Sequence, residues 1–538
     1  MRSQVWFKLI LTFLLSLCLI GCDSANDDFV FQIPQQAAAP PVPMGVISGR
    51  IVASNTGNPI QGAQVVANIA VVPRADGLVL GRDSGNDTTD ANGDFSIGEL
   101  DPGTYTFQCT ANGRQLFQQQ VLVEEDKTST VNVSMWPTPG GVLPFQSYAY
   151  DLVDGDTNDS NEDVFLRDLT TNTTTKISNA AAGSGGHSDF PVLSDSEAYL
   201  VFASRGQLLD GESDSNPDVY RYDVVNGTLA NITSPLGAVD MGACDYADLH
   251  PFTAGTGMYT VFEWPSTLYS EKTVYLHDAS DNSLTPISLP PTGNPDGCSK
   301  RPAINSQETV VFFDSRATNL LADDTNTCRD IFRYDIATGD LALVTRAANG
   351  DPTNECSRWP SCSADGNYLA FESDATNLVT SPVTTTIQSR IYVRDLTTGT
   401  NELISVTSNG DASGSSGCFR PTITADGRYV AFYTSESLVP EDTNGSGDIY
   451  VRDRVSNTTV LVSADSMGNP GDLWSYNPVI ASDGSFVYYS SQADNLVSGV
   501  TASVDYQVIS TTLSTLAHKM LSLNTTASPG NDASYTRD

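Results

Sequence analysis

Positive charge is scarce in this chain. Its 538 residues hold 27 lysines and arginines against 64 aspartates and glutamates, a net charge of −37, and such a surface repels phosphate backbones and anionic lipid. Nucleic-acid binding is therefore excluded. Histidine is scarcer still: His187, His250, His277 and His518 are the four. No His-Glu-x-x-His, Gly-x-Ser-x-Gly or glycine-rich phosphate loop occurs, so no enzymatic centre is expected. The alternative is a glycosidase-like carboxylate pair among the 64 acids. Cys-x-x-Cys is also absent, which argues against a zinc knuckle or a thioredoxin-like motif. Beyond the first two dozen residues, no apolar run approaches the ~20 residues that cross a bilayer.

The one long apolar run stands at the start. Arg2 and Lys8 precede Leu9 to Ile20 (LILTFLLSLCLI), and Leu19-Ile20-Gly21-Cys22-Asp23 follows, the layout of a secretory signal. This ending resembles the lipobox of bacterial lipoproteins. The resemblance implies that residues 1–21 are removed, that Cys22 is acylated, and that the chain sits in the bacterial cell envelope, lipid-anchored and facing the periplasm or the cell surface. Residues 22–44, polar and then rich in Gln, Ala and Pro, read as a tether.

From 45 to 135 short alternating strands are divided by turns: Thr56-Gly57-Asn58-Pro59, Asp90-Ala91-Asn92-Gly93 and Asp101-Pro102-Gly103. Phe95, Ile97, Leu100, Tyr105 and Phe107 mark the apolar alternation, and a small β-sandwich is expected. The succession SGRIV, GNPIQGAQVV and TDANGDFSIGELDPGTYTFQCTANG resembles the carboxypeptidase regulatory-like domain. That resemblance implies a transthyretin-like spacer or weak binding surface without catalytic residues.

Residues 136–143, opening with Trp136-Pro137-Thr138-Pro139-Gly140-Gly141, form a linker, and 144–538 repeat with a period of roughly 57 residues. Units open on Arg301-Pro302, Arg358-Trp359-Pro360, Arg420-Pro421 or Asn477-Pro478. A tight Asp-Gly turn follows (365–366, 426–427, 483–484), then an apolar strand such as Tyr429-Val430-Ala431-Phe432 and a third strand such as Asp448-Ile449-Tyr450-Val451-Arg452-Asp453. Counting third strands gives seven units, with six or eight left open by the weak ends. Four strands per unit and no helical periodicity predict an all-β chain: the sandwich, then a β-propeller. The turn and third strand resemble the WD40-like repeats of the TolB family. In the first unit Ser147 to Leu152 reads as the second strand and no first strand is evident. Ser528 to Tyr535 resembles a unit opening, so it is expected to supply that strand and close the ring.

Acidic loops precede several third strands: Asp156, Asn158 and Ser160 before Asp163; Asp214 and Asn216 before Asp218; Asp324 and Asn326 before Asp330; Asp442 and Asn444 before Asp448. Two readings stand: oxygen ligands for Ca²⁺, or Asx turns that start the strand. Arg167, Arg394 and Arg452 are expected to make ion pairs between blades. Of nine cysteines, Cys18 and Cys22 belong to the signal and anchor, leaving seven, so at least one thiol stays free or pairs between chains. Cys244, Cys298, Cys356 and Cys418 hold equivalent places, too far apart to pair with one another. Cys328 and Cys362 are the expected partners; a metal ring is the other reading.

Together these features predict a non-catalytic, lipid-anchored envelope protein whose propeller is a binding platform for envelope proteins or another ligand. Alternatives are a polysaccharide-binding or carbohydrate-active protein, for which Trp359 and Trp474 are the candidate exposed aromatics, and a Ca²⁺-stabilised scaffold.

Overall fold

The computed structural model describes residues 45–536 apart from 54–60, 62, 70–83, 93, 101, 111–116, 124–126, 131–132, 136–141, 155–160, 170, 172, 180–185, 211–216, 237–248, 266–270, 381–386, 415, 498–505 and 524–532. Among the described residues no helix is long and apolar enough to cross a membrane, and every element but one short 3₁₀ turn is a strand.

The first domain stacks two sheets. In one, Gly45–Ala53 pairs with Asp94–Leu100 and with Thr128–Thr130 and Val133–Met135. In the other the order is Ser84–Thr88, Gln64–Ile69, Gly103–Thr110, Phe117–Val123. Side chains alternate across a strand. Val65 and Ala67, Phe95 and Ile97, and Tyr105, Phe107 and Cys109 therefore all face inward to one buried core. The expected turn at Asp90 is an Asx turn, its Oδ1 accepting the N–H groups of Asn92 and Asp94 at 2.8 and 2.9 Å.

The second domain is a seven-bladed propeller: seven four-stranded antiparallel sheets follow one another. In six blades an aromatic of the second strand stacks on one of the third, as in Phe371 on Tyr392 (5.9 Å) and Phe432 on Tyr450 (6.1 Å). The third and fourth strands are bracketed by a hydroxyl. Ser463 Oγ accepts the Ile449 N–H (2.9 Å) and donates to Asp448 (2.6 Å); Thr345 does the same for Ile331 and Asp330. This is why an aspartate recurs at the start of the third strand.

Ring closure follows the expected route. Ser534–Tyr535 pairs with Val142–Ser147 as the innermost strand of the first blade. The second strand of that blade lies five residues earlier than expected, at Val142–Ser147 rather than Ser147–Leu152. Phe145 is its buried aromatic, and the apolar Tyr148 to Leu152 run beyond it belongs to the following connection.

Two side-chain expectations need correction. Arg167, Arg394 and Arg452 hydrogen-bond to Thr174 (2.8 Å), Asn401 (2.9 Å) and Thr459 (3.2 Å) of their own blades, and Arg394 also reaches the Arg346 carbonyl of the preceding blade (3.5 Å). The fourth strand supplies the three neutral side-chain acceptors. Among the described residues, Arg454 makes an inter-blade ion pair, on Glu402 at 2.8 Å. Cys356 does pair with a non-equivalent partner, Cys328, across a Cα separation of 4.9 Å; Cys298 is also disulfide-bonded. Cys109, Cys362 and Cys418 are not in disulfides.

Candidate functional site in the central channel

The residue pair that opens each repeat unit shapes the channel. Proline has no N–H to give to a ladder, and the innermost strands bulge immediately before it, with register shifts at Lys300/Ala303, Arg358/Ser361 and Phe419/Thr422. The residue ahead of the proline is driven into the left-handed region: φ lies between 33° and 56° at Phe190, His250, Arg301, Trp359, Arg420 and Asn477. Such a conformation in a non-glycine residue costs roughly 1–3 kcal/mol and persists only where its surroundings over-determine it.

Those surroundings are visible. The freed N–H points at the preceding blade, where the fifth residue of the second strand accepts it. Arg301 N–H reaches Glu263 Oε1 (2.8 Å), Trp359 N–H Asp314 Oδ2 (3.3 Å) and Arg420 N–H Glu372 Oε1 (2.6 Å). Phe190 uses Gln146 (2.9 Å) and Thr536 uses Ser490 (3.0 Å). His250 faces an alanine, Ala203, at the equivalent position and turns to its own blade, placing Nδ1 2.9 Å from Glu263 Oε1.

The carboxylates so used are buried and differ in charge environment. Burial would raise Glu263, yet the charges of His250 and Lys272 hold it well below the usual carboxylate range. Burial wins at Glu372, which is pushed up to about 7 although Arg420 and Arg358 oppose it. Trp359 lies between two guanidiniums, Arg301 at 4.4 Å and Arg420 at 4.5 Å from its ring, with His250 edge-on at 6.0 Å. It is thus a channel residue, half-buried, and not the exposed aromatic expected; Trp474 is the exposed one, at 48%.

Of these side chains His250, Arg301 and Trp359 line a cavity of about 290 Å³ at the end of the channel where first and second strands turn. Its walls carry one proline from each of six blades (Pro144, Pro191, Pro251, Pro302, Pro360, Pro421), with Phe252, Ile304, Ile423 and Tyr488. The free thiol of Cys362 also lines it, pushed up to about 12 by burial and by Asp195. The rim is held by backbone bonds between neighbouring turns, Gln307 to Ala364, Ala364 to Ala425 and Ala425 to Ser482, at 2.8–3.1 Å. Glycine is required there: at Gly366, φ is 70° and a Cβ would lie 2.7 Å from Val310 Cγ2.

The acidic loops behave as turns where they are described. Asn326 and Asn444 accept the N–H groups of Cys328 (2.6 Å) and Ser446 (2.8 Å) and donate to Asp330 and Asp448 (2.7 and 2.8 Å). Asp163 and Asp218 accept from Ser178 and Thr233, each at 2.6 Å. Asp442 accepts the Tyr450 hydroxyl. The equivalent aromatic in Asp324's blade is Phe332, and neither oxygen of the buried Asp324 has a hydrogen-bond partner. No group of three or more metal-binding side chains comes together among the described residues. Asp156, Asn158, Ser160, Asp214, Asn216 and Cys22 lie outside the described residues.

Reading the sequence missed the channel residues. The signal was present as the recurring X-Pro pair, whose first member changes from blade to blade.

Fold and site define a β-propeller carrying a regulatory-like sandwich. Residues 46–135 match the carboxypeptidase regulatory-like domain family. No curated protein matches the chain. Among solved structures it is similar to TolB from Acinetobacter baumannii (14% identity, TM-score 0.35, covering 67% of this chain and 76% of that one). It is also similar to the β-propeller domain of the Trilobed protease from Pyrococcus furiosus (10%, 0.44, 72% and 95%) and to an oligogalacturonate lyase in complex with manganese (14%, 0.40, 73% and 93%). At such identities the likeness concerns the fold alone.

Proposed function

We propose that the chain is a non-catalytic, lipid-anchored envelope protein whose propeller binds a partner at the tight-turn end of its channel. The observation that carries this is the cavity itself. It is concave, walled mainly by apolar side chains, and holds a few convergent polar groups, the usual make-up of a binding site. Four of the six strained X-Pro positions around it, Phe190, Arg301, Trp359 and Arg420, are held by inter-blade hydrogen bonds, and strain of this kind clusters where a protein binds or acts. The sandwich serves as spacer and Cys22 as anchor.

Photo-crosslinking amino acids placed singly at Ala425 and Ser482 on the cavity rim, and at Thr174 on an outer strand, test the platform in intact cells. Rim positions are expected to capture a discrete partner that the outer strand does not; equal labelling from all three positions overturns the reading. The anchor is tested by fatty-acid labelling, which Cys22→Ser is expected to abolish.

A further inference from the structure

The cavity floor presents polar atoms that the protein itself leaves unused. Arg301 commits Nη1 to Asp314 at 3.1 and 3.3 Å, and neither its Nε nor its Nη2 has a protein acceptor. His250, one blade away, turns Nδ1 to Glu263 and leaves Nε2 as the ring nitrogen free to meet a ligand. Both residues line the same cavity, with the Trp359 ring beside them.

The local charge is positive in a chain of net charge −37. Behind the lining, the buried carboxylates beside these residues meet basic side chains: Glu263 meets His250 and Lys272, Asp314 meets Arg301 and Arg329, and Glu372 meets Arg358 with Arg420 beside it. Arg358 also pairs with Asp374 at 3.0 Å. Two acids line the cavity, Asp195 and Glu197, and Asp195 already accepts the Gly255 N–H at 2.6 Å. Above the floor the walls are prolines and aliphatic side chains, and a volume of about 290 Å³ lies at the small end of the roughly 300–1,000 Å³ of small-molecule pockets.

We infer that this cavity takes a small amphipathic carboxylate, its acid group on the Arg301 guanidinium beside the His250 ring and its apolar body against the proline-lined walls. The inference rests on the channel being the binding site and adds the chemistry of what enters it. Guanidinium groups favour carboxylates through charge-assisted hydrogen bonds, and the enclosing walls exclude the water that would weaken them.

Calorimetric titration of the full-length protein in detergent with 3-phenylpropionate, 3-phenylpropan-1-ol and 3-phenylpropylamine separates head-group chemistry from apolar fit. The acid is expected to bind at least tenfold more tightly than the alcohol. Arg301→Gln is expected to remove most of that advantage, Arg301→Lys to keep part of it, and thermal melts report whether each variant is folded. Cys362→Phe fills the wall without touching the floor and is expected to abolish binding, so the inference stays testable if Arg301→Gln does not fold. Equal affinity for acid and alcohol, preference for the amine, or no binding of any of the three overturns it. If that happens while crosslinking still concentrates at the rim, only the carboxylate chemistry fails. If rim crosslinking is lost as well, the platform fails with it.

Discussion

The hydroxyls of Ser147 and Ser534 lie 2.7 Å apart although 387 residues separate them, and this contact joins the first blade to the strand that completes it. Tyr535 adds an aromatic clasp with Tyr506 (5.8 Å) and Tyr476 (6.1 Å). Removing residues 534–538 exposes an unpaired sheet edge and is expected to lower the melting temperature by at least 5 °C. Ser534→Ala, which deletes one buried hydrogen bond, should cost about 1 kcal/mol. Differential scanning calorimetry checks both; an unchanged melt for the truncation would show that the closure contributes nothing.

Glu372 accepts the Arg420 N–H and the Arg358 Nε–H. Glu372→Ala orphans both donors in a buried site and is expected to cost about 2–3 kcal/mol, whereas Glu372→Gln keeps an acceptor and should cost less than about 1 kcal/mol. Urea unfolding at pH 7 separates the two. Equal losses would mean that volume, and not hydrogen bonding, sets the position.

Asp324 yields a pH signature. Burial, with the Asp330 charge second, pushes its carboxyl up to about 6. Between about pH 4, where an unfolded aspartate ionises, and about 6, the folded chain keeps a proton that the unfolded chain has released. Stability therefore falls as pH rises through that window. Asp324→Asn should raise stability at pH 7.5 by about 1 kcal/mol, allowing for screening, and leave it unchanged at pH 4. The same melts with Ca²⁺ and with EDTA test the cation reading of this loop. A calcium-induced rise that Asp324→Asn abolishes makes this carboxylate a ligand, and an equal response in both proteins rules it out.

The Cys328–Cys356 bridge closes a loop between positions 28 residues apart. Replacing both by serine is expected to cost about 2–4 kcal/mol, read by chemical denaturation against wild type. Peptide mapping without reductant should recover the linked pair and leave Cys362 and Cys418 alkylable only after unfolding. A Cys356–Cys362 link would contradict the structure.

The propeller was legible because its rules repeat. Asp448 and Ser463 form the same bracket as Asp330 and Thr345, so the third strand looks alike in unit after unit, and apolar alternation marks the buried face. Closure was readable too, since Ser534 and Tyr535 copy a unit opening. The channel floor was not, for a physical reason. Backbone geometry is common to six positions while the side chains differ: His250, Arg301 and Trp359 converge only because the ring brings successive blades together. The arginines of the third strand misled because their alternation was visible while their acceptors, Thr174, Asn401 and Thr459, are common neutral residues with no pattern.

A strand that completes the first blade from position 534 also sets the timing of folding. Chains emerge at about 5–20 residues per second, so the 387 residues between Ser147 and Ser534 impose a wait of roughly 20–80 s before the ring can shut. For that interval the first blade's inner edge stays open. A chain built this way remains threadable while it is being made, and acquires its circular topology only once almost all of it is in one compartment.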